Sequence, residues 1–134
     1  LIIIMPKITK RKVMRNQPTY KFFKNFGYAR EGLAEIFKNE KSFRIEIYIF
    51  LIATISLFFW KFDLIFNLFL IFSMAFVLVC ECLNSGLERV TDLASPDYNA
   101  LAKAAKDAGS AAVMIANFLC GALWCVAIGY KIWD

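Results

Sequence analysis

Glu81, Asn84, Ser85 and Glu88 stand at i, i+3, i+4 and i+7 of one segment. That spacing puts all four on a single face of a helix. Two carboxylates beside an amide and a hydroxyl can hold a cation, orient a polar ligand or accept a proton. The stripe ends a run that is apolar from Leu64 to Leu83 apart from Asn67, Ser73 and Glu81. An acid inside such a run is costly and marks a functional site by default. Blander readings stand beside this one. Glu81 could snorkel to a membrane interface or hydrogen-bond across an oligomer. Asn84 and Ser85 could be glue between helices, and Glu88 with Asp92 could be solvated charges at a helix end.

Further polar residues flank the apolar runs. Asn39 reads as a cap, with Glu40 in the first turn of the helix that follows. Taken alone, Glu40 is a helix N-terminal charge, and Lys106-Asp107 is an exposed pair at the start of a span. The chain has no His, so His-based acid/base chemistry, His metal sites and Ser-His-Asp triads are excluded. Cys80, Cys82, Cys120 and Cys125 all lie in apolar runs and read as small packing residues. No Walker A, dinucleotide-binding or protein-kinase signature occurs.

The elements that must position these groups follow from hydropathy. Of 134 residues, 60% are hydrophobic, and 14 are Phe. A soluble domain of this size has too little interior for that much apolar side chain, so the reading is an all-α membrane protein in a single domain, residues 19–134. Residues 19–38 form an amphipathic surface helix, with Phe22, Phe26, Ala29, Leu33 and Ile36/Phe37 at helical spacing. Three transmembrane helices are expected at about 42–60, 64–94 and 108–132. Lys61-Phe62-Asp63 is a tight turn between the first two, and residues 97–107 are read as a polar connector. The small residues Ala108 to Ala112 let helices approach closely, and Trp124, Tyr130 and Trp133 read as an interfacial belt.

Residues 1–18 form a basic extension, read as disordered. Lys7, Lys10, Arg11, Lys12, Arg15, Lys21 and Lys24 all precede the first acid, Glu31, and the net charge is +5. Such a segment suits an anionic cytoplasmic leaflet, and with spans following it a nucleic-acid partner is set aside. The first residue is Leu; an alternative start codon, or a start at Met5 or Met14, is expected. Arg89, Lys103 and Lys106 after the second span put the N-terminus and the 85–107 segment in the cytoplasm and the C-terminus on the far side. Glu40, Glu88 and Lys106-Asp107 then share the cytoplasmic rim, with Glu81 just below it.

The pattern Glu81-x-x-Asn84-Ser85-x-x-Glu88, then Asp92, then Ala105-Lys106-Asp107-Ala108-Gly109-Ser110-Ala111-Ala112-Val113, resembles the prokaryotic diacylglycerol kinase family. Asn39-Glu40-x-x-Phe43-Arg44-x-Glu46 and the helix around Gly32-Leu33 fit it as well. The resemblance covers roughly residues 19–132. Gly86 stands where that family usually has Ala, and Arg30 where an aromatic is usual.

The resemblance implies a homotrimer in the bacterial cytoplasmic (inner) membrane, with sites shared between subunits. It implies γ-phosphoryl transfer from Mg-ATP to the hydroxyl of diacylglycerol, giving phosphatidic acid. Carried over residue by residue, Glu81 is the general base, and Glu40 and Glu88 hold the Mg²⁺ bound to ATP. Lys21, Glu40, Glu88, Lys106 and Asp107 contact ATP. Arg44, Glu46, Glu81, Asn84 and Ser110 contact the lipid substrate. The chemistry is coherent: phosphoryl transfer needs placed phosphates, a divalent cation and a proton acceptor.

Two alternatives stay open on the sequence. A related branch phosphorylates undecaprenol, and Val90-Thr91-Asp92-Leu93-Ala94-Ser95 looks somewhat like it. A non-enzymatic oligomeric membrane protein would also carry spans, a basic tail and a polar stripe.

Overall fold

A computed structural model describes residues 20–133. The basic extension expected at 1–18 lies outside the described residues. Among the described residues the regular structure is all helical: α1 (Phe22–Asn39), α2 (Lys41–Trp60), α3 (Leu64–Ala94) and α4 (Ala100–Trp133). The last three are each long and apolar enough to cross a membrane. At 1.5 Å per residue they run about 30, 46 and 51 Å, against a hydrocarbon core of about 30 Å. One end of α3 and one end of α4 therefore stand clear of any bilayer they cross.

The longest interface is between α3 and α4, and α2 packs on α3 more lightly. Lys61 closes α2 in the left-handed region at φ 52°, and Asp63 caps α3 through a 2.9 Å bond from the Phe66 amide. At this turn sits a small apolar core of Leu57, Leu70 and Ala127, against which Phe62, Phe66, Ile71 and Trp124 pack. Trp124, expected in an interfacial belt, packs against this core and keeps part of its surface exposed. Tyr130 stacks on Phe66 at 5.7 Å, whereas Trp133 is exposed.

Two boundaries differ from those expected. The polar stretch 97–107 is mostly helix, because α4 already begins at Ala100. Asn99 starts it by accepting from the amides of Leu101 (2.9 Å) and Ala102 (3.2 Å), an N-cap that replaces two lost backbone partners. Asn39, expected to cap α2, is instead the last residue of α1. Its side-chain amide donates to Glu35 at 2.6 Å.

The joint between α1 and α2 is one residue, Glu40, in an extended conformation (φ −101°, ψ 116°) with no capping bond from its side chain. Arg44 supplies the missing cap for α1, donating to the carbonyls of Phe37 (3.0 Å) and Lys38 (2.7 Å). Those carbonyls have no partner inside the helix. Along α1 only Ile36 is buried, while Phe22, Phe23, Phe26 and Leu33 are exposed, as the amphipathic pattern anticipates.

Candidate active site

The end of the bundle opposite the Lys61–Asp63 turn is held together by polar groups. Glu40, Ser42, Glu81, Asn84, Ser85, Glu88, Ser110 and Val113 line a cleft of about 240 Å³. Three elements contribute. The α1–α2 joint and start of α2 bring Glu40 and Ser42, α3 brings the stripe from Glu81 to Glu88, and α4 brings Ser110 and Val113.

On α3, Glu81 faces Ser42 and Glu46 across the gap to α2. Seven residues along, about 10 Å at helical rise, Glu88 accepts from the Asn84 side-chain amide at 3.1 Å. The other end of Asn84, its Oδ1, is buried without a hydrogen-bond partner. It lies against Gly109 of α4, where a Cβ would collide with it. Glycine at that position is what lets α4 close over the Asn84 side chain.

Glu40 is held from two sides. Its Oε1 accepts from the buried Ser85 hydroxyl at 2.9 Å and from Arg89 at 3.1 Å. The second Arg89 amine pairs with Glu35 Oε2 at 2.7 Å. Glu40 Oε2 has no partner among the described residues. Arg89 and Glu35 were not singled out in the sequence. Arg89 is one position past the stripe, and nothing in the spacing tells that its guanidinium reaches back to two acids about 50 residues earlier.

The remaining residues marked in the sequence lie beside the cleft or apart from it. Glu46 lines a separate small groove with Ile49, Phe50, Met74, Val77, Asn117 and Cys120. Asn117 donates to its Oε1 at 3.4 Å, and Oε2 is buried without a partner. Lys106 bridges to Asp92 at 2.6 Å, close enough to Glu88 to feel its charge. Asp107 pairs with Lys103 one turn earlier. Lys106 belongs to the polar rim around Asp92, Ser95 and Asn99, and neither Lys106 nor Asp107 lines the cleft. Arg44 is spent on the α1 carbonyls. Lys21 stands before the first residue of α1, about 27 Å of helix away from Glu40. The four Cys residues are free thiols, and Cys120 accepts a long 3.4 Å bond from Ser73.

The cleft offers hard oxygen donors, three of them carboxylates: Glu40 from the α1–α2 joint, and Glu81 and Glu88 from α3. No three His, Cys, Asp or Glu residues converge as a self-sufficient metal cage among the described residues. Mg²⁺ is commonly bound through one or two carboxylates, with substrate phosphates and water completing the shell. Glu40 and Glu88 fit that requirement.

Residues 27–128 match the family model described as prokaryotic diacylglycerol kinase. The chain is 36% identical to the diacylglycerol kinase of Escherichia coli strain K12 over 108 residues, covering 81% of this chain and 88% of that one. It is 37% identical over 97 residues to the diacylglycerol kinase of Haemophilus influenzae, covering 72% and 82%. It is also similar to the undecaprenol kinase of Bacillus subtilis, 30% identical over 95 residues, covering 71% and 77%.

Proposed function

Because the chain belongs to the prokaryotic diacylglycerol kinase family, we propose that it phosphorylates diacylglycerol to phosphatidic acid, using Mg-ATP, at the cytoplasmic face of a bacterial inner membrane. The observation that carries the reading is the cleft itself. It gathers Glu40, Glu81, Asn84, Glu88 and Ser110 from three elements at one end of the spans.

Each group has a task that its place suits. Glu81 lies further down α3 toward the membrane than Glu88, where a headgroup hydroxyl can reach it while the acyl tails stay in the bilayer. Its carboxylate accepts the hydroxyl proton as the lipid oxygen attacks the γ-phosphorus. The bond from that phosphorus to the β–γ bridging oxygen breaks, and ADP leaves. Ser110 and Asn84 are placed to orient the lipid hydroxyl, and Glu46 sits in the apolar groove alongside. Glu40 and Glu88 would hold the Mg²⁺ that comes with the nucleotide. When bound, that cation offsets the charge of the phosphates and of the two carboxylates.

One chain supplies only part of what the reaction uses. Lys21, Lys106 and Asp107 stand outside the cleft lining, and the apolar faces of the spans are largely exposed. A homotrimer with sites shared between subunits covers part of those faces and brings further groups to each cleft. The N-terminus is cytoplasmic and the C-terminus periplasmic, from the excess of Lys and Arg at the site end.

Undecaprenol is the second substrate to test, because the Bacillus subtilis relative is an undecaprenol kinase. The test is transfer of labelled γ-phosphate from Mg-ATP to diacylglycerol and undecaprenol offered together in mixed micelles. Diacylglycerol is expected to take most of the label, and Glu81→Gln to lose nearly all of it. Faster labelling of undecaprenol overturns the substrate, and undiminished transfer by Glu81→Gln overturns the base.

A further inference from the structure

Arg89 forks between two acids on two different elements, and this places it in the working of the site. One amine holds Glu40 Oε1 at 3.1 Å, and the other holds Glu35 Oε2 at 2.7 Å on the last turns of α1. The Ser85 hydroxyl reaches the same Glu40 oxygen at 2.9 Å. Glu40 sits at the single-residue joint between α1 and α2, where its side chain does no capping. Without Arg89 and Ser85, that side chain would be free to turn.

We propose that Arg89 is a positioning residue. Together with Ser85 it fixes Glu40 Oε1, so that Oε2 is presented to the cation arriving with the nucleotide. Through Glu35 it makes that presentation depend on α1 staying docked. The inference rests on the reading of Glu40 as a cation ligand.

The geometry opposes the simplest alternative, in which Arg89 competes with the cation for Glu40. A competitor would occupy both carboxylate oxygens in bidentate fashion, as a guanidinium does when one acid is its only partner. Here the fork is divided between two acids, and both donors to Glu40 share one oxygen. The other oxygen keeps its lone pairs. A ligand held before binding spends less conformational entropy on binding. The two readings therefore differ in sign. Removing a positioning group weakens cation binding, whereas removing a competing charge strengthens it.

The experiment is a Mn²⁺ titration followed by electron paramagnetic resonance, on the full-length protein in micelles with a non-hydrolysable ATP analogue. Alongside it, the Mg²⁺ dependence of phosphate transfer is measured. Arg89→Ala is expected to weaken Mn²⁺ binding about five-fold and to raise the Mg²⁺ concentration for half-maximal rate by a similar factor, the size of one half-exposed charged contact. The rate at saturating Mg²⁺ should stay within about two-fold of wild type. Arg89→Lys, which keeps the charge but cannot fork, should recover only part of the loss. Glu35→Gln should show a smaller weakening in the same direction. Unchanged or tighter Mn²⁺ binding in Arg89→Ala overturns the proposal. If wild-type protein binds Mn²⁺ but transfers no phosphate, the kinase reading fails, and the titration still decides the role of Arg89.

Discussion

Gly109→Ala separates the packing of the site from its chemistry. The added Cβ would collide with Asn84 Oδ1 and stand 3.1 Å from Leu87 Cδ2 and 3.3 Å from Asn84 Cγ. Overpacking of this kind costs about 1–3 kcal/mol when the backbone must shift. Alanine in place of glycine in a helix returns about 1 kcal/mol. The obstructing atoms belong to side-chain ends, so Asn84 can yield by rotating and α4 need not move. Stability is therefore expected to fall by no more than about 1–2 kcal/mol. Activity should fall further. A rotated Asn84 gives up its 3.1 Å bond to Glu88, and a hydrogen bond to a charged group is worth about 1.5–3 kcal/mol. That corresponds to roughly a 10- to 100-fold loss in kcat/KM. The assay is phosphate transfer in mixed micelles beside thermal denaturation in the same detergent. Gly121→Ala is the control, since nothing lies within 4 Å of a Cβ there; it should match wild type in rate. Gly109→Ala combined with Asn84→Ala should regain stability and keep the reduced rate. Wild-type activity in Gly109→Ala would refute the claim that the close approach of α4 sets the Asn84–Glu88 pair.

Other substitutions test single contacts. Glu88→Gln keeps the shape but halves the carboxylate pair, so the Mg²⁺ needed for half-maximal rate should rise about ten-fold, with the KM for diacylglycerol little changed. Mg²⁺ titration of the initial rate reads this directly. Arg44→Gln strips the cap from the Phe37 and Lys38 carbonyls; amide exchange across 35–39 should quicken, at a cost of about 1 kcal/mol. Asn99→Ala removes the bonds to the Leu101 and Ala102 amides and should cost about 1 kcal/mol locally. Faster exchange at those two amides, with helix content otherwise intact, is the expected signature.

The stripe on α3 was legible because helical spacing alone aligns Glu81, Asn84, Ser85 and Glu88, and the structure gathers all four in the cleft. The spans were legible because apolar runs of that length have few other uses. What hydropathy hides is helix that continues outside the apolar run. The start of α4 carries Lys103, Lys106 and Asp107, so by hydropathy it reads as connector, and the structure shows Asn99 capping a helix there. Asn39 misled in the opposite sense: its amide was within reach of Glu35 one turn back, so it closed α1 and left Glu40 as the joint. Arg89 was beyond reach because its value lies in two partners far away in the chain.

Lipid tails are as apolar as leucine, so apolar contact between spans gains little in a membrane, and polar contacts carry much of the discrimination. In this chain several of those contacts surround the cleft to which we assign the chemistry. Ser85 and Arg89 meet Glu40, Lys106 meets Asp92, and Asn84 fills the space that Gly109 leaves. The same atoms thus tell each span how far to slide along its neighbour. A copy whose helices are out of step has lost the cleft as well. Assembly then acts as its own inspection, and a badly docked molecule is idle instead of wrongly active.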